Sequence, residues 1–245
     1  MNVMNSDDFA DILRAWPFEP GKLAARVVDR GEQPPRLQVR VELGLLQLES
    51  QGRPDGLRPE GLESLFHAAL HRAQAAQTVL SSAECEALHR EAALFSYRSL
   101  VFSTLEDYRG VLRDTERNLE VMNFIIAHAA EARERDNARR SLLQLITMRA
   151  RALATVSVRS GDVGEARSAL DNGIENIQEV MHELGRAGDF EDSHEVRLLK
   201  GMRDMLVPRL PASQRQEMRE RLEAAIALEN YELAAILTAE LRQLP

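Results

Sequence analysis

The chain has 245 residues, a net charge of −8 at pH 7 and an isoelectric point near 5.4. This acidic balance disfavours direct binding to nucleic acid, which requires clustered lysines and arginines to neutralise phosphates. The chain has a single cysteine, Cys85, which excludes an internal disulfide and a cysteine-based zinc module. The sequence contains no run of about 18 apolar residues, the length that a membrane-spanning helix needs. We therefore expect a soluble cytoplasmic protein, and its many leucines and alanines favour helices.

The N-terminal region combines one short predicted helix with the only clear β signal. Apolar residues share one helical face over 6–16, and the prolines and glycine of 16–21 end that helix. Apolar and polar residues then alternate over 36–45, which is the period of a half-buried strand. The inward face of this predicted strand comprises Leu37, Val39, Val41 and Leu43.

The same alternation also predicts how the strand is paired. Its phase shifts just after Gly44, which indicates a β-bulge. Residues 23–28 are the predicted partner strand, joined through the proline-containing turn at 31–35. Because two strands alone are marginal in water, this β-hairpin must pack on helices or pair with a further strand.

From residue 60 onward the apolar pattern indicates helices throughout. The predicted helices cover 61–80, 83–105, 107–134, 137–160, 162–186, 190–206, 214–228 and 231–243. Ser81 with Glu84, Asp162 with Glu165 and Ser213 with Gln216 have the spacing of capping boxes at three of the helix starts. Two prolines, at 208 and 211, separate the last two helices from the rest.

A short pattern recurs where predicted helices meet. It consists of an aspartate or asparagine, a bulky apolar residue, two further positions and a small or apolar residue. The pattern begins at Asp107, Asp162 and Asn230, and more loosely at Asp189. The first side chain is expected to cap the new helix, while the last residue allows two helices to approach closely.

Two of these corners resemble the tetratricopeptide repeat. The similar stretches are 103–120 and 160–175, where a first helix would turn into a second. The corners lack the regular repeat length of that family, so the resemblance is to TPR-like hairpins with long helices. It implies a concave helical surface used for contacts with proteins.

The C-terminal segment 218–244 resembles the UVR motif, a helical hairpin of the excinuclease B and C subunits and of some Clp-type chaperones and adaptors. The matching residues are Leu222, Ala225, Ile226, Glu229, Asn230, Tyr231, Glu232, Ala234, Ala235, Leu237, Glu240 and Leu241. Thr238 and Ala239 replace the arginine and aspartate usual in the family, so a different partner is expected. The resemblance implies a docking hairpin for proteins rather than excision chemistry.

This hairpin carries more apolar surface than its two helices can bury between them. Burial of each large apolar side chain contributes about 1.5–3 kcal/mol, so another surface is expected to cover the excess. The chain's own helical body, a second copy of the chain and a different protein all remain open as that surface. The predicted partner-binding residues are Tyr231, Leu233, Ile236, Leu237 and Leu244.

A metal-dependent enzyme is the main alternative. Glu63, His67 and His71 lie at intervals of four residues on one helical face, a spacing that can hold a divalent metal. Di-iron bundles use E-x-x-H patterns on different helices. The chain contains three such patterns, at Glu86–His89, Glu179–His182 and Glu191–His194. Chance matches to these patterns are expected in a glutamate-rich chain. The glutamates on both sides of Cys85 disfavour a reactive thiolate. No metal, cofactor or catalytic site is therefore predicted.

Together these patterns predict a mainly α protein in three parts. These are an N-terminal helix with a β-hairpin at 1–57, a TPR-like helical body at 58–208 and a UVR-like hairpin at 209–245. The predicted function is a non-catalytic adaptor that binds a protein partner or itself, without contact to a membrane, nucleic acid or small-molecule substrate. The metal-dependent enzyme and an accessory factor of a DNA-repair complex remain the alternatives.

Overall fold

The computed structural model describes residues 10–75, 78–206 and 219–223, together with residues 226, 237, 238 and 241. In this part of the chain the structure is mainly helical with a small N-terminal antiparallel sheet, which confirms the predicted fold class. The chain divides into two compact units, Met1–Leu199 and Lys200–Pro245. None of the described helices has the length and apolar character needed to cross a membrane.

The sheet is a three-stranded meander of β1 (Ala24–Arg30), β2 (Gln33–Val41) and β3 (Gly44–Glu49). β2 lies in the middle and pairs antiparallel with both neighbours. The predicted pairing of residues 23–28 with the following strand is therefore confirmed. A third strand completes the sheet, as expected because a two-stranded hairpin alone is only marginally stable in water.

The predicted bulge at Gly44 is wrong. Gly44 begins β3 and pairs with Val41 across a two-residue turn, so the phase shift marks a second hairpin. Leu43 lies in that turn and is 94% exposed, which removes it from the predicted buried face. Leu37 and Val39, at 2% and 3% exposure, do face the interior as predicted.

A short helix, α1 (Ala10–Ala15), precedes the sheet, and longer helices follow it. Their bounds are α2 (Leu65–Ala75), α3 (Ser82–Thr104), α4 (Tyr108–His128), α5 (Ala132–Arg159), α6 (Val163–Glu183) and α7 (His194–Leu206). Short 3₁₀ turns lie at Pro59–Gly61 and Ala187–Asp189. Most residues of the two predicted C-terminal helices lie outside the described part of the chain.

Side-chain caps fix the starts of α3, α4 and α6. Ser81 and Glu84 form the predicted capping box, in which each side chain accepts a hydrogen bond from the other residue's backbone N–H. Asp107 accepts a bond of 3.0 Å from the third N–H of α4, and Asp162 accepts one of 2.8 Å at the same place in α6. These local interactions explain why each helix starts where the sequence predicts.

The corner predicted at Asp189 is wrong. Asp189 ends a 3₁₀ turn, and α7 begins later, at His194. The Ser193 hydroxyl caps that start by accepting a 3.1 Å hydrogen bond from the Val196 N–H. In the five-residue corner pattern that begins at Asp189, the helix cap is therefore the last residue, Ser193, and not the first.

Close helix contacts follow the two regular corners. A Cβ atom built on Gly110 would lie 2.6 Å from the Phe102 ring, so only glycine fits where α4 approaches α3. Ala166, which lies four residues after its capping aspartate where Gly110 lies three after its own, is fully buried, as predicted. The sheet and the helices share one hydrophobic cluster, formed by Leu37, Val39, Val101, Phe102, Val111 and Ala152.

Candidate protein-binding groove

The structure describes only one of the predicted partner-binding residues. Leu237 is 8% exposed, so other atoms of this chain already cover it. Ile226, one of the residues that resemble the UVR motif, is 53% exposed. Partner binding by this hairpin stays a prediction, since the following residues lie outside the described part of the chain: Tyr231, Leu233, Ile236 and Leu244.

The predicted metal patterns do not assemble into a site in the described part of the chain. There, no three histidine, cysteine, aspartate or glutamate side chains lie close enough together to hold a metal ion. The Nδ1 atom of His67 lies 2.8 Å from the Ser64 hydroxyl, and its Nε2 lies 3.9 Å from Glu63. His67 therefore has local polar neighbours that explain its position without a metal.

One E-x-x-H pattern, Glu86 with His89, lines a cavity of about 650 Å³ beside the start of α5. The Nε2 atom of His89 is buried without a hydrogen-bond partner among the described residues, and burial lowers the pKa of this imidazole. In the neighbouring Cys85, burial and then Glu134 raise the pKa of the thiol. Cys85 therefore lies in the core, where burial and the neighbouring carboxylates disfavour the thiolate form.

A groove of about 660 Å³ runs along α5, with α4 on one side and α6 on the other. On each helix the lining positions recur every three or four residues, so one face of each helix is turned towards the groove. The apolar part of the lining comes from all three helices. It comprises Leu119, Ile126, Leu142, Ile146, Ala150, Leu153, Ala169, Gly173 and Val180.

Small residues bring α5 and α6 together beneath the groove. A Cβ atom on Gly173 would lie 2.6 Å from the Ala150 Cβ and 3.1 Å from a methyl carbon of Leu199. The helix backbones therefore meet closely where a larger residue would separate them. Four large apolar side chains of the groove lining remain partly exposed: Leu119, Ile126, Ile146 and Leu153.

Three asparagines stand along the walls of the groove. Asn123 comes from α4, and Asn172 and Asn176 come from α6. All three are exposed, and their side-chain amides make no hydrogen bond to any described residue of the chain. Each carboxamide offers two N–H donors and an acceptor oxygen, so the groove presents hydrogen-bonding capacity that the protein itself does not use.

The charged residues make the groove acidic. Its lining contains Glu165, Glu179 and Glu183 but only one basic residue, Arg149. Arg149 is paired with a carboxylate outside the groove at 3.4 Å, and Glu183 with the Arg139 guanidinium at 2.7 Å. Glu165 and Glu179 have no counter-ion among the residues that the structure describes.

A buried ion pair between α3 and α4 was not predicted. Arg98 and Asp114 are each 1% exposed, and the guanidinium binds the carboxylate through two bonds of 2.6 and 2.8 Å. Arg98 also donates to the backbone carbonyls of Glu49 and Gly52 at 2.9 and 2.8 Å. The pair thus fastens the chain that leaves β3 to the helices.

A second buried carboxylate fixes the start of α2. Glu91 on α3 accepts hydrogen bonds from the backbone N–H groups of Leu65 and Phe66, at 2.7 and 3.1 Å. Arg117 on α4 and Arg53 in the preceding loop also contact this carboxylate. These bonds satisfy donors that the first turn of a helix otherwise leaves unpaired, so we assign the buried charges a structural role.

No family model, curated protein or solved structure matches the chain. The resemblances to the UVR motif and to tetratricopeptide hairpins therefore stay predictions.

Proposed function

We propose that the protein is a non-catalytic interaction protein and that the groove along α5 is its main binding surface. One observation carries the proposal: a partly exposed apolar floor lies between walls whose asparagine side chains make no hydrogen bond to any described residue. The apolar floor favours burial of apolar groups of a ligand, and hydrogen bonds to the asparagine amides can fix the position of the ligand along the groove. A segment of another protein supplies both kinds of contact.

The C-terminal hairpin is the second surface in this proposal. Its resemblance to the UVR motif supports docking to a protein partner, which would make the molecule an adaptor with two contacts. Because Leu237 is covered within the chain, docking through that residue would require the hairpin to rearrange. Such an adaptor would act in the cytoplasm, where an unpaired cysteine stays reduced.

The test compares proteins that co-purify with the full chain and with a groove variant. Ile146→Glu with Leu153→Glu places two charges on the partly exposed floor of the groove. Val156→Glu with Val158→Glu is the matched control, since these α5 residues are 38% and 45% exposed and do not line the groove. Circular dichroism melting of both variants establishes that each remains folded.

We expect the groove variant to lose specific co-purifying proteins that the control retains. If both folded variants retain the same proteins as the wild type, the groove is not the binding surface. A third variant, Ile236→Ser with Leu237→Ser, tests the hairpin separately. Loss of capture in that variant alone, with a circular dichroism melt equal to that of the wild type, would assign the adaptor function to the hairpin.

A further inference from the structure

We infer that the groove binds an extended segment of a partner protein, about seven residues long, with a basic side chain near each end. This inference rests on the proposed function and specifies the chemistry of the partner. It follows from the unused amides, from their spacing on α6 and from the two carboxylates that flank them.

The asparagines favour an extended segment over a helix. A helix pairs its backbone N–H and C=O groups internally, whereas an extended segment leaves them free. Asn172 and Asn176 are separated by four residues of α6, which is a rise of about 6 Å. Two residues of an extended chain span about 6.6 Å, so consecutive amides on α6 can pair with alternate residues of the segment.

The glutamates define the charge and length of the segment. Glu165 and Glu179 lie on either side of the asparagines, and neither has a counter-ion in the described part of the chain. Glu179 lies fourteen positions after Glu165, a rise of about 21 Å that corresponds to about six steps along an extended chain. Two lysines or arginines at that separation would pair with both carboxylates at once.

The groove is less suited to an acidic segment. Arg149 is its only basic lining residue and is already paired with Glu116 at 3.4 Å. The net charge of −8 for the whole chain also attracts a basic segment during the diffusional encounter. Electrostatics and spacing therefore select the same ligand.

The test measures binding of labelled synthetic peptides to the full chain by fluorescence anisotropy. The probe peptide has the sequence KLSVSLK, with a lysine at each end and alternating apolar residues between them. One comparison peptide, ELSVSLE, reverses the charge. Another, KKLSVSL, keeps the composition but places both lysines at one end, so it tests the spacing.

We expect KLSVSLK to bind about tenfold more tightly than ELSVSLE, with KKLSVSL between them, and added salt to reduce the difference. The variant Glu165→Gln with Glu179→Gln should lose most of this preference. Glu32→Gln with Glu42→Gln removes the same charge from exposed turns of the sheet and should leave it unchanged. Equal binding of KLSVSLK and ELSVSLE, or an unaltered preference in the groove variant, would overturn the inference.

The outcome also separates this inference from the proposed function. If no peptide binds while the Ile146→Glu and Leu153→Glu variant still loses its co-purifying proteins, the groove binds proteins but the basic extended segment is wrong. If neither the peptides nor those substitutions have any effect, both the inference and the proposed function fail.

Discussion

The interface between α3 and α4 and the interface between α5 and α6 begin at similar corners but are filled differently. In both cases an aspartate caps the second helix, through Asp107 or Asp162. Beyond the corner, the first interface buries the Arg98–Asp114 ion pair, and the second packs Gly173 against Ala150. The capping aspartate thus fixes where each second helix starts, while the side chains buried between the two helices determine the role of each interface.

The two fillings have different physical consequences. A buried ion pair gains attraction but loses hydration, so its net contribution to stability is small while its geometry is strict. Arg98 uses that geometry to hold the chain that follows β3. Small apolar residues instead let α5 and α6 meet closely, while larger side chains of the groove lining remain partly exposed. The polar interface anchors a segment of the chain, and the apolar interface forms the floor of the groove.

The largest effect is expected from breaking the polar interface. Asp114→Ala leaves the Arg98 guanidinium buried without a carboxylate and should reduce the free energy of unfolding by about 3–5 kcal/mol. Urea denaturation measures this loss directly. Replacing both charges, with Arg98→Met and Asp114→Leu, should recover much of it, because no unpaired charge then remains. If Asp114→Ala unfolds at the same urea concentration as the wild type, the pair is not buried.

A smaller effect is expected at the apolar interface. In an open helix, Gly→Ala stabilises by about 1 kcal/mol, but here the new methyl would collide with Ala150. Gly173→Ala should therefore destabilise the protein by about 1–3 kcal/mol in the same denaturation assay. Adding Ala150→Gly makes room for the methyl and should restore part of the stability. A stabilising Gly173→Ala variant would show that α5 and α6 are further apart.

The two corners should respond equally. Asp107→Ala and Asp162→Ala each remove a hydrogen-bond acceptor from the first turn of a helix, at a cost of about 1 kcal/mol. Thermal melting of both variants measures this cost. Equal shifts would confirm that the difference between the interfaces lies in their filling. A much larger shift for one variant would show that its corner has an additional role.

The smallest effect concerns the start of α3, which lies in neither corner. The Ser81 N–H, followed by the Ser81 hydroxyl, lowers the pKa of Glu84. A carboxylate with a lowered folded-state pKa stabilises the fold above its ordinary pKa and loses that contribution as the pH falls. The difference in melting temperature between the wild type and Glu84→Gln should therefore shrink from pH 7 to about pH 3. A difference independent of pH would contradict the ionised capping box.

Local interactions explain why the helix starts were predictable. Ser81, Asp107 and Asp162 cap residues only three positions away, so the sequence carries the whole interaction. The second β-hairpin was missed because a bulge and a two-residue turn produce the same phase shift. Its turn residues, Glu42 and Leu43, carry no glycine or asparagine to distinguish the two.

Interactions between helices were not predictable in the same way. Glu91 and Arg98 lie seven residues apart on the same buried face of α3 as its apolar core residues. Their charged partners, however, come from α4 and from the loop before α2. The groove likewise takes its lining from three helices. The periodicity of each helix predicts an inward face, and only the packing shows which parts of several such faces stay uncovered.

The most direct test of the central claim is photo-crosslinking in the native cell from a benzoylphenylalanine placed in the groove. Position 172 lies within the groove on α6, and position 167 is an exposed position on the opposite side of the same helix, which makes it the matched control. We predict a crosslinked partner from position 172 and none from position 167, with the attachment point lying in a segment that contains lysine or arginine. Equal crosslinking from both positions, or none from position 172, would contradict the account.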